Sequence, residues 1–324
     1  MFHMNDLKSP IACVWEITNR CNFKCPHCRA FEYSCHENAE CENEIIRQLV
    51  KNSIISVNIS GGEPLLNPRV LDIIRKLSLN GIDVGISTNG YLYWSKAEEL
   101  NAAGISFVQV SVDGPEEIHD KFRGKKGAYE NAIKSLLVAK DLGHFTQMNT
   151  TITAVNYKYI FDNILLAEKI GVNRIFFRRI VSEGLAKNND KLIPNKKDYF
   201  EVLKKLIVYK YNKNSSVHIS IDDPIISILD KNRYSTSSVC CSAGITSLGI
   251  DSNGNVYPCI FARTNIGNLL ENDLGEIWRE SVILEKLRNR DISECGGCEY
   301  KYSCGGCRGA SGLFEKDLMC PKEK

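Results

Sequence analysis

The sequence predicts an α/β fold with a parallel sheet, followed by a small cysteine-rich unit. Two observations carry this. Between residues 11 and 180, short apolar runs alternate six times with amphipathic helical stretches, as expected of a parallel sheet that is doubly wound or curled into a barrel. From Thr236 onward, cysteine, glycine and short strand-like runs replace that alternation.

The strand-like runs are 12–17, 54–59, 83–87, 106–112, 148–153 and 174–180. Between the second and third, Asn67-Pro68 supplies a cap and a first-turn proline. Val70, Leu71, Ile74 and Leu77 then form a stripe at helical spacing, and Gly81 closes the helix. Residues 128–142 and 159–170 behave likewise. The lysine-rich stretch 187–213 carries Tyr199, Val202, Leu203, Leu206 and Ile207 at helical spacing, so a helix with a solvated charged face is expected there. Residues 214–235 are expected to form a bridge of mixed character. The resulting division is a core over 1–213, the bridge, and the cysteine-rich unit over 236–324.

At 324 residues, with 43% hydrophobic and 25% charged residues, the chain suits one large domain plus an appendage. Its formal charge of +2 argues against wrapping nucleic acid. No run of 18 apolar residues is present, and the first ten residues lack an apolar signal core. A cytoplasmic protein without a membrane partner is expected. Fourteen cysteines without a secretion signal point to metal ligation rather than disulfides. Three cluster near the N-terminus and eight near the C-terminus. Of the others, Cys13 is expected as a buried small hydrophobe, and Cys35 and Cys41 as plain thiols.

The first group, Cys21, Cys25 and Cys28, has C-x3-C-x2-C spacing. A four-iron cluster normally takes one cysteine per iron, so three thiolates leave one iron open to a small molecule. A zinc site would need a fourth ligand. His27, between Pro26 and Cys28, is placed too tightly to share a metal with both flanking cysteines.

The stretch Trp15-Glu16-Ile17-Thr18-Asn19-Arg20-Cys21-Asn22-Phe23-Lys24-Cys25-Pro26-His27-Cys28-Arg29-Ala30 resembles the cluster loop of radical S-adenosylmethionine (SAM) enzymes. The resemblance implies that the open iron binds the amino and carboxylate groups of SAM. One electron then cleaves the sulfonium, and a 5′-deoxyadenosyl radical takes hydrogen from substrate. It also selects the barrel: a partial (β/α)6 TIM-like barrel, with its chemistry at the C-terminal ends of the strands.

Several motifs fall at those ends. In Ser60-Gly61-Gly62-Glu63-Pro64, two glycines permit close backbone approach and the carboxylate can accept from an amine. By resemblance, Gly61, Gly62 and Glu63 contact SAM, with Glu63 facing its amino group. Ser87-Thr88-Asn89-Gly90 and Ser111-Val112-Asp113-Gly114-Pro115 end the third and fourth runs. The resemblance places Ser87, Asn89, Ser111 and Asp113 along the ribose and carboxylate side of SAM. Strand alternation sets Gln147, Asn149 and Thr151 on one polar face toward the barrel interior. Arg178 and Arg179 are expected to hold a carboxylate of SAM or of substrate. His27 occupies the variable position of the loop, with its backbone near adenine.

The eight C-terminal cysteines are Cys240, Cys241, Cys259, Cys295, Cys298, Cys304, Cys307 and Cys320. Taken alone, their spacings suit zinc knuckles about as well as iron–sulfur clusters. Following such a core, they resemble the SPASM extension, which carries two auxiliary 4Fe–4S clusters. The implied total is three 4Fe–4S clusters. Cys295, Cys298, Cys304 and Cys320 would hold the outer auxiliary cluster, and Cys241, Cys259 and Cys307 the inner one. Cys240 either completes the inner set or leaves it an open iron, full ligation being preferred. The last internal spacing is two residues, where the family commonly shows three.

Three substrate readings compete. The preferred one is a maturase of a ribosomally made peptide, although only twenty residues precede Cys21 and no separate leader-binding domain fits there. A tetrapyrrole enzyme is suggested by residues 15–30, 119–124 and 147–156. Its usual Pro-x-Gly-Arg, however, reads Ser182-Glu183-Gly184-Leu185 here. A sugar or nucleoside dehydrogenase or epimerase is the third. A one-electron donor such as flavodoxin or ferredoxin is implied in each case. Asp222, Asp223 and Glu183 stand near the sheet's end without an assignable acid or base role.

Overall fold

The computed structural model describes residues 7–30, 37–212, 215–230 and 241–322. Cys35 and Cys240 therefore lie outside the described residues. In chain order the core runs β1 (Ala12–Thr18), α1 (Ala39–Lys51), β2 (Ser56–Gly61), α2 (Val70–Leu79), β3 (Asp83–Thr88), α3 (Tyr93–Ala103) and β4 (Phe107–Ser111). It continues with α4 (Glu116–Arg123), α5 (Ala128–Asp141), β5 (Phe145–Ile152), α6 (Ile160–Ile170), β6 (Arg174–Arg179), α7 (Lys196–Asn212), β7 (His218–Asp222) and α8 (Ile226–Leu229). Beyond lie β8 (Ser247–Ile250), β9 (Asn255–Tyr257), β10 (Gly267–Asn268), α9 (Leu274–Glu280) and α10 (Val282–Arg288).

Strands β1 to β7 pair in sequence order, each parallel to the next. Parallel neighbours need a crossover, and the helices supply it. The result is a partial TIM-like barrel. Trp15, Ile59, Ile86, Val110 and Phe177 are fully buried and share one core with Leu49, Ile74 and Leu136 of the helices. Burying each such side chain contributes about 1.5–3 kcal/mol. Among the described residues, no helix is long and apolar enough to cross a membrane.

Three features differ from the sequence expectation. The supposed bridge contains β7, a seventh parallel strand paired with β6. Only Ile219 and Ile221 alternate inward there, too short an apolar signal to read. Helix α2 starts at Val70, so Pro68 precedes it. Asn67 instead accepts from the Arg69 amide and donates to Ile17 O and Glu42. Finally, the cysteine-rich part is stitched into the main sheet. β8 runs parallel to β1, with Ala12 opposite Ser247, and β9 and β10 add antiparallel strands beyond it.

Candidate active site

The C-terminal ends of the strands open onto a cavity of about 400 Å³. Two sets of three thiols share its wall: Cys21, Cys25 and Cys28 from the loop after β1, and Cys241, Cys259 and Cys307 from the C-terminal part. Cys241 lies close enough to act electrostatically on both Cys259 and Cys307. Cys295 is likewise coupled to Cys298 and Cys320, and none of these three lines the cavity. Cys304 is buried, its Sγ accepting from the Gly306 amide at 3.4 Å.

The glycines after β2 grip the first cysteine loop. Gly62 N–H donates to Thr18 O and Glu63 N–H to Arg20 O, both at 2.8 Å. A Cβ at Gly61 would lie 2.1 Å from Thr18 O, and one at Gly62 would lie 2.2 Å from Arg20 O. Their small size thus serves backbone-to-backbone contact, while both residues also face the cavity.

Of the other residues expected around SAM, Ser87, Asn89, Ser111, Asn149 and Arg178 line the cavity. Glu63, Asp113 and Gln147 are buried behind that wall. Glu63 is fully buried and accepts from Thr88 Oγ1 (2.8 Å) and the Asn89 amide (2.9 Å). Its carboxyl shapes the end of β3. Burial pushes its pKa up to about 7, against the lowering effect of those donors. Asp113 is fully buried in an ion pair with Arg123 at 2.5 Å. Gln147 shares the Asn149 face as expected, donating to its Oδ1 at 2.7 Å, but lies one level deeper. The polar wall residues are tied in place: Asn89 Nδ2 donates to Asn22 behind the wall, and Asn58 Nδ2 to Ser87.

Burial pushes the Cys21 and Cys307 thiols up to about 12, so iron must displace their protons. Asn58 Oδ1, His27 Nδ1 and Arg29 Nη1 are buried without a hydrogen-bond partner, and all three residues line the cavity. Burial, and then Arg123, lower the His27 pKa to about 3. His27 is thus neutral, stacked on Phe122 at 4.4 Å. Three thiols with no fourth donor, beside polar atoms still lacking partners, fit an iron–sulfur cluster open to a polar ligand. Among the described residues, no three His, Cys, Asp or Glu side chains group as a single metal ion would require.

Sequence reasoning missed several supports. Arg123 reaches Cys25, and Glu16 binds both Arg29 and Arg263. Phe261 packs between Arg29 and Arg178, and Asp317 pairs with Arg179 while accepting the Cys307 amide. Each joins segments far apart in the chain, so local pattern gave no signal. Cys13 is buried as expected. Cys41 proves to be a buried thiol of α1 facing Ser252 O.

The family model for the radical SAM superfamily matches residues 15–175, and that for the SPASM iron–sulfur cluster-binding domain matches 240–305. AdoMet-dependent heme synthase of Methanosarcina barkeri (strain Fusaro / DSM 804) is 30% identical over 326 residues, covering 93% of this chain and 91% of that protein. PqqA peptide cyclase of Rhizobium meliloti (strain 1021) is 26% identical, with 92% and 82% covered. The structure of Streptococcus suis SuiB bound to S-adenosylmethionine superposes with a TM-score of 0.80 at 20% identity, covering 97% of this chain and 78% of that one; this likeness shows the fold. The chain belongs to the radical SAM superfamily and carries a C-terminal SPASM domain. It is an enzyme of the radical SAM type, binding SAM and 4Fe–4S clusters.

Proposed function

We propose that this enzyme oxidises a side chain of a ribosomally made peptide and holds three 4Fe–4S clusters. The observation that carries the reading is the single cavity walled by both sets of three thiols. When bound, SAM and the first cluster supply a radical that abstracts hydrogen. Gly61, Gly62, Ser87, Asn89, Ser111 and Asn149 line the space where SAM is held, and Cys241, Cys259 and Cys307 lie where an electron leaving substrate would be received. Cys240 is proposed as the fourth inner ligand, Cys295, Cys298, Cys304 and Cys320 as the outer set, and a flavodoxin or ferredoxin as the one-electron donor.

Arginine pairing supports a peptide side chain over a carboxylate-rich macrocycle. Arg178 is held by Asp222, Arg179 by Asp317, Arg123 by Asp113 and Arg29 by Glu16. Macrocycle carboxylates would compete for guanidiniums already engaged by protein carboxylates. The name of the Rhizobium relative, a peptide cyclase, agrees. A second reading, oxidation of a tetrapyrrole side chain, is favoured by the 30% identity to a heme synthase along nearly the whole chain.

The test is anaerobic incubation of reconstituted enzyme with SAM and dithionite, followed by addition of candidate substrates. Release of 5′-deoxyadenosine is expected, and its absence with clusters intact would reject the enzyme reading. Loss of hydrogen mass from a peptide encoded beside the gene supports the first reading. Loss of carbon dioxide from an iron porphyrin propionate would replace it with the second.

A further inference from the structure

The carboxylate of Glu16, at 5% exposure in β1, receives two guanidiniums. Arg29 Nη2 donates to one oxygen and Arg263 Nη2 to the other. Arg29 follows Cys28 in the first cysteine loop, whereas Arg263 stands four residues after Cys259. Glu16 and Arg263 are 247 residues apart in the chain. Each arm of this clamp ends beside a thiol: the Ala30 amide donates to Cys28 Sγ at 3.4 Å, and the Phe261 amide to Cys259 Sγ at 3.5 Å. The Phe261 ring packs against the first arm, with the Arg29 guanidinium 4.8 Å from its centre and that of Arg178 4.6 Å away. The anchor itself is stiff, because β1 is hydrogen-bonded on both edges, to β2 and to β8.

We infer that Glu16 is a positioning residue: by gripping Arg29 and Arg263 together, it fixes the two cavity-facing sets of thiols relative to each other. Removing the carboxylate would leave two largely buried guanidiniums facing one another, with Asp251, 4.0 Å from Arg263, as the nearby carboxylate. Removing Arg263 would leave Glu16 and Arg29 paired and only unfasten the second loop. The inference rests on both sets being cluster sites of one active site, but its test needs no substrate.

The experiment compares hydrogen–deuterium exchange of the anaerobic holoenzyme in wild type, Arg263→Gln and Glu16→Gln. Dipolar EPR between reduced clusters and iron content are measured alongside. In Arg263→Gln, amides in 21–30 are expected to exchange about tenfold faster although the substituted residue lies in the other loop, because local opening is governed by such contacts. The inter-cluster distance distribution should broaden while iron stays at the wild-type level. Should Glu16→Gln fail to fold, Arg263→Gln still decides the matter. Faster exchange confined to 259–266, uniform loosening of β3 to β5, or loss of iron would overturn the inference. A failure to release 5′-deoxyadenosine would reject the proposed function and leave the exchange result standing by itself.

Discussion

Arg123, at the end of α4, places Nη1 4.0 Å from the Sγ of Cys25, 98 residues earlier in the chain. The same guanidinium pairs with buried Asp113. Burial pushes the Asp113 carboxyl up, but Arg123, His119, His27 and the Thr151 amide together hold it below its usual range. Replacing Arg123 with Gln therefore leaves an uncompensated buried carboxylate, costing about 3 kcal/mol. It also removes a donor and a positive charge from a cluster thiolate, so the reduction potential of the first cluster should fall. Thermal unfolding and an EPR redox titration measure the two effects separately.

Glu63 gives a pH signature of the opposite sign. Its folded pKa of about 7 lies above the ordinary 4.5, so between those values the native state keeps a proton that the unfolded chain has lost. Stability from this group is full below 4.5 and is lost as pH rises toward 7, by on the order of 3 kcal/mol. Urea unfolding of the metal-free protein at pH 5 and pH 7.5 should show this decline, and Glu63→Gln should flatten it. An equal slope in both proteins would count against the raised pKa.

Gly184 sits where Leu185 N–H donates to Cys28 O at 2.8 Å. Its φ is +62°, and a Cβ there would lie 2.2 Å from the Arg29 Cα. Gly184→Ala must push the cysteine loop aside, at a cost of roughly 1–3 kcal/mol. The variant should lose iron from the first site and 5′-deoxyadenosine release together, while iron at the C-terminal thiols persists.

Iron removal should act unevenly. Past Arg288, the described chain has one three-residue 3-10 helix as its regular structure, and Ile292 and Cys304 are its buried hydrophobic side chains. With so small an apolar core, metal ligation must supply much of the order there. A chelator should abolish exchange protection in 291–322 and leave β2 to β6 protected. Retained protection across 291–322 would show that packing alone suffices.

The strand–helix alternation was legible because the parallel strands are continuous apolar runs closed by polar ends, whereas the choice of a barrel over a doubly wound sheet came from the resemblance of the cysteine loop. The same contrast located Ser87, Asn89 and Ser111 on the cavity wall. It could not tell a carboxyl facing a ligand from one bound by neighbouring donors. The donors that hold Glu63, from Thr88 and Asn89, arrive from another strand and left no local signal. The cation of Asp113 was hidden likewise, lying ten residues on, across a turn and a helix. Strand β7 was invisible because two isoleucines are too few to establish a period. The Glu16 clamp depends on tertiary approach between distant loops, which no local spacing encodes.

The placement of β8 against β1 carries a consequence for synthesis. During translation the opening strand can zip to β2 at once, yet its opposite side stays bare until residues 247–250 emerge. Over that interval the nascent chain displays an apolar template for stray strands. A ribosome stalled before that point would release a product prone to aggregate, although β1 to β7 had already been made.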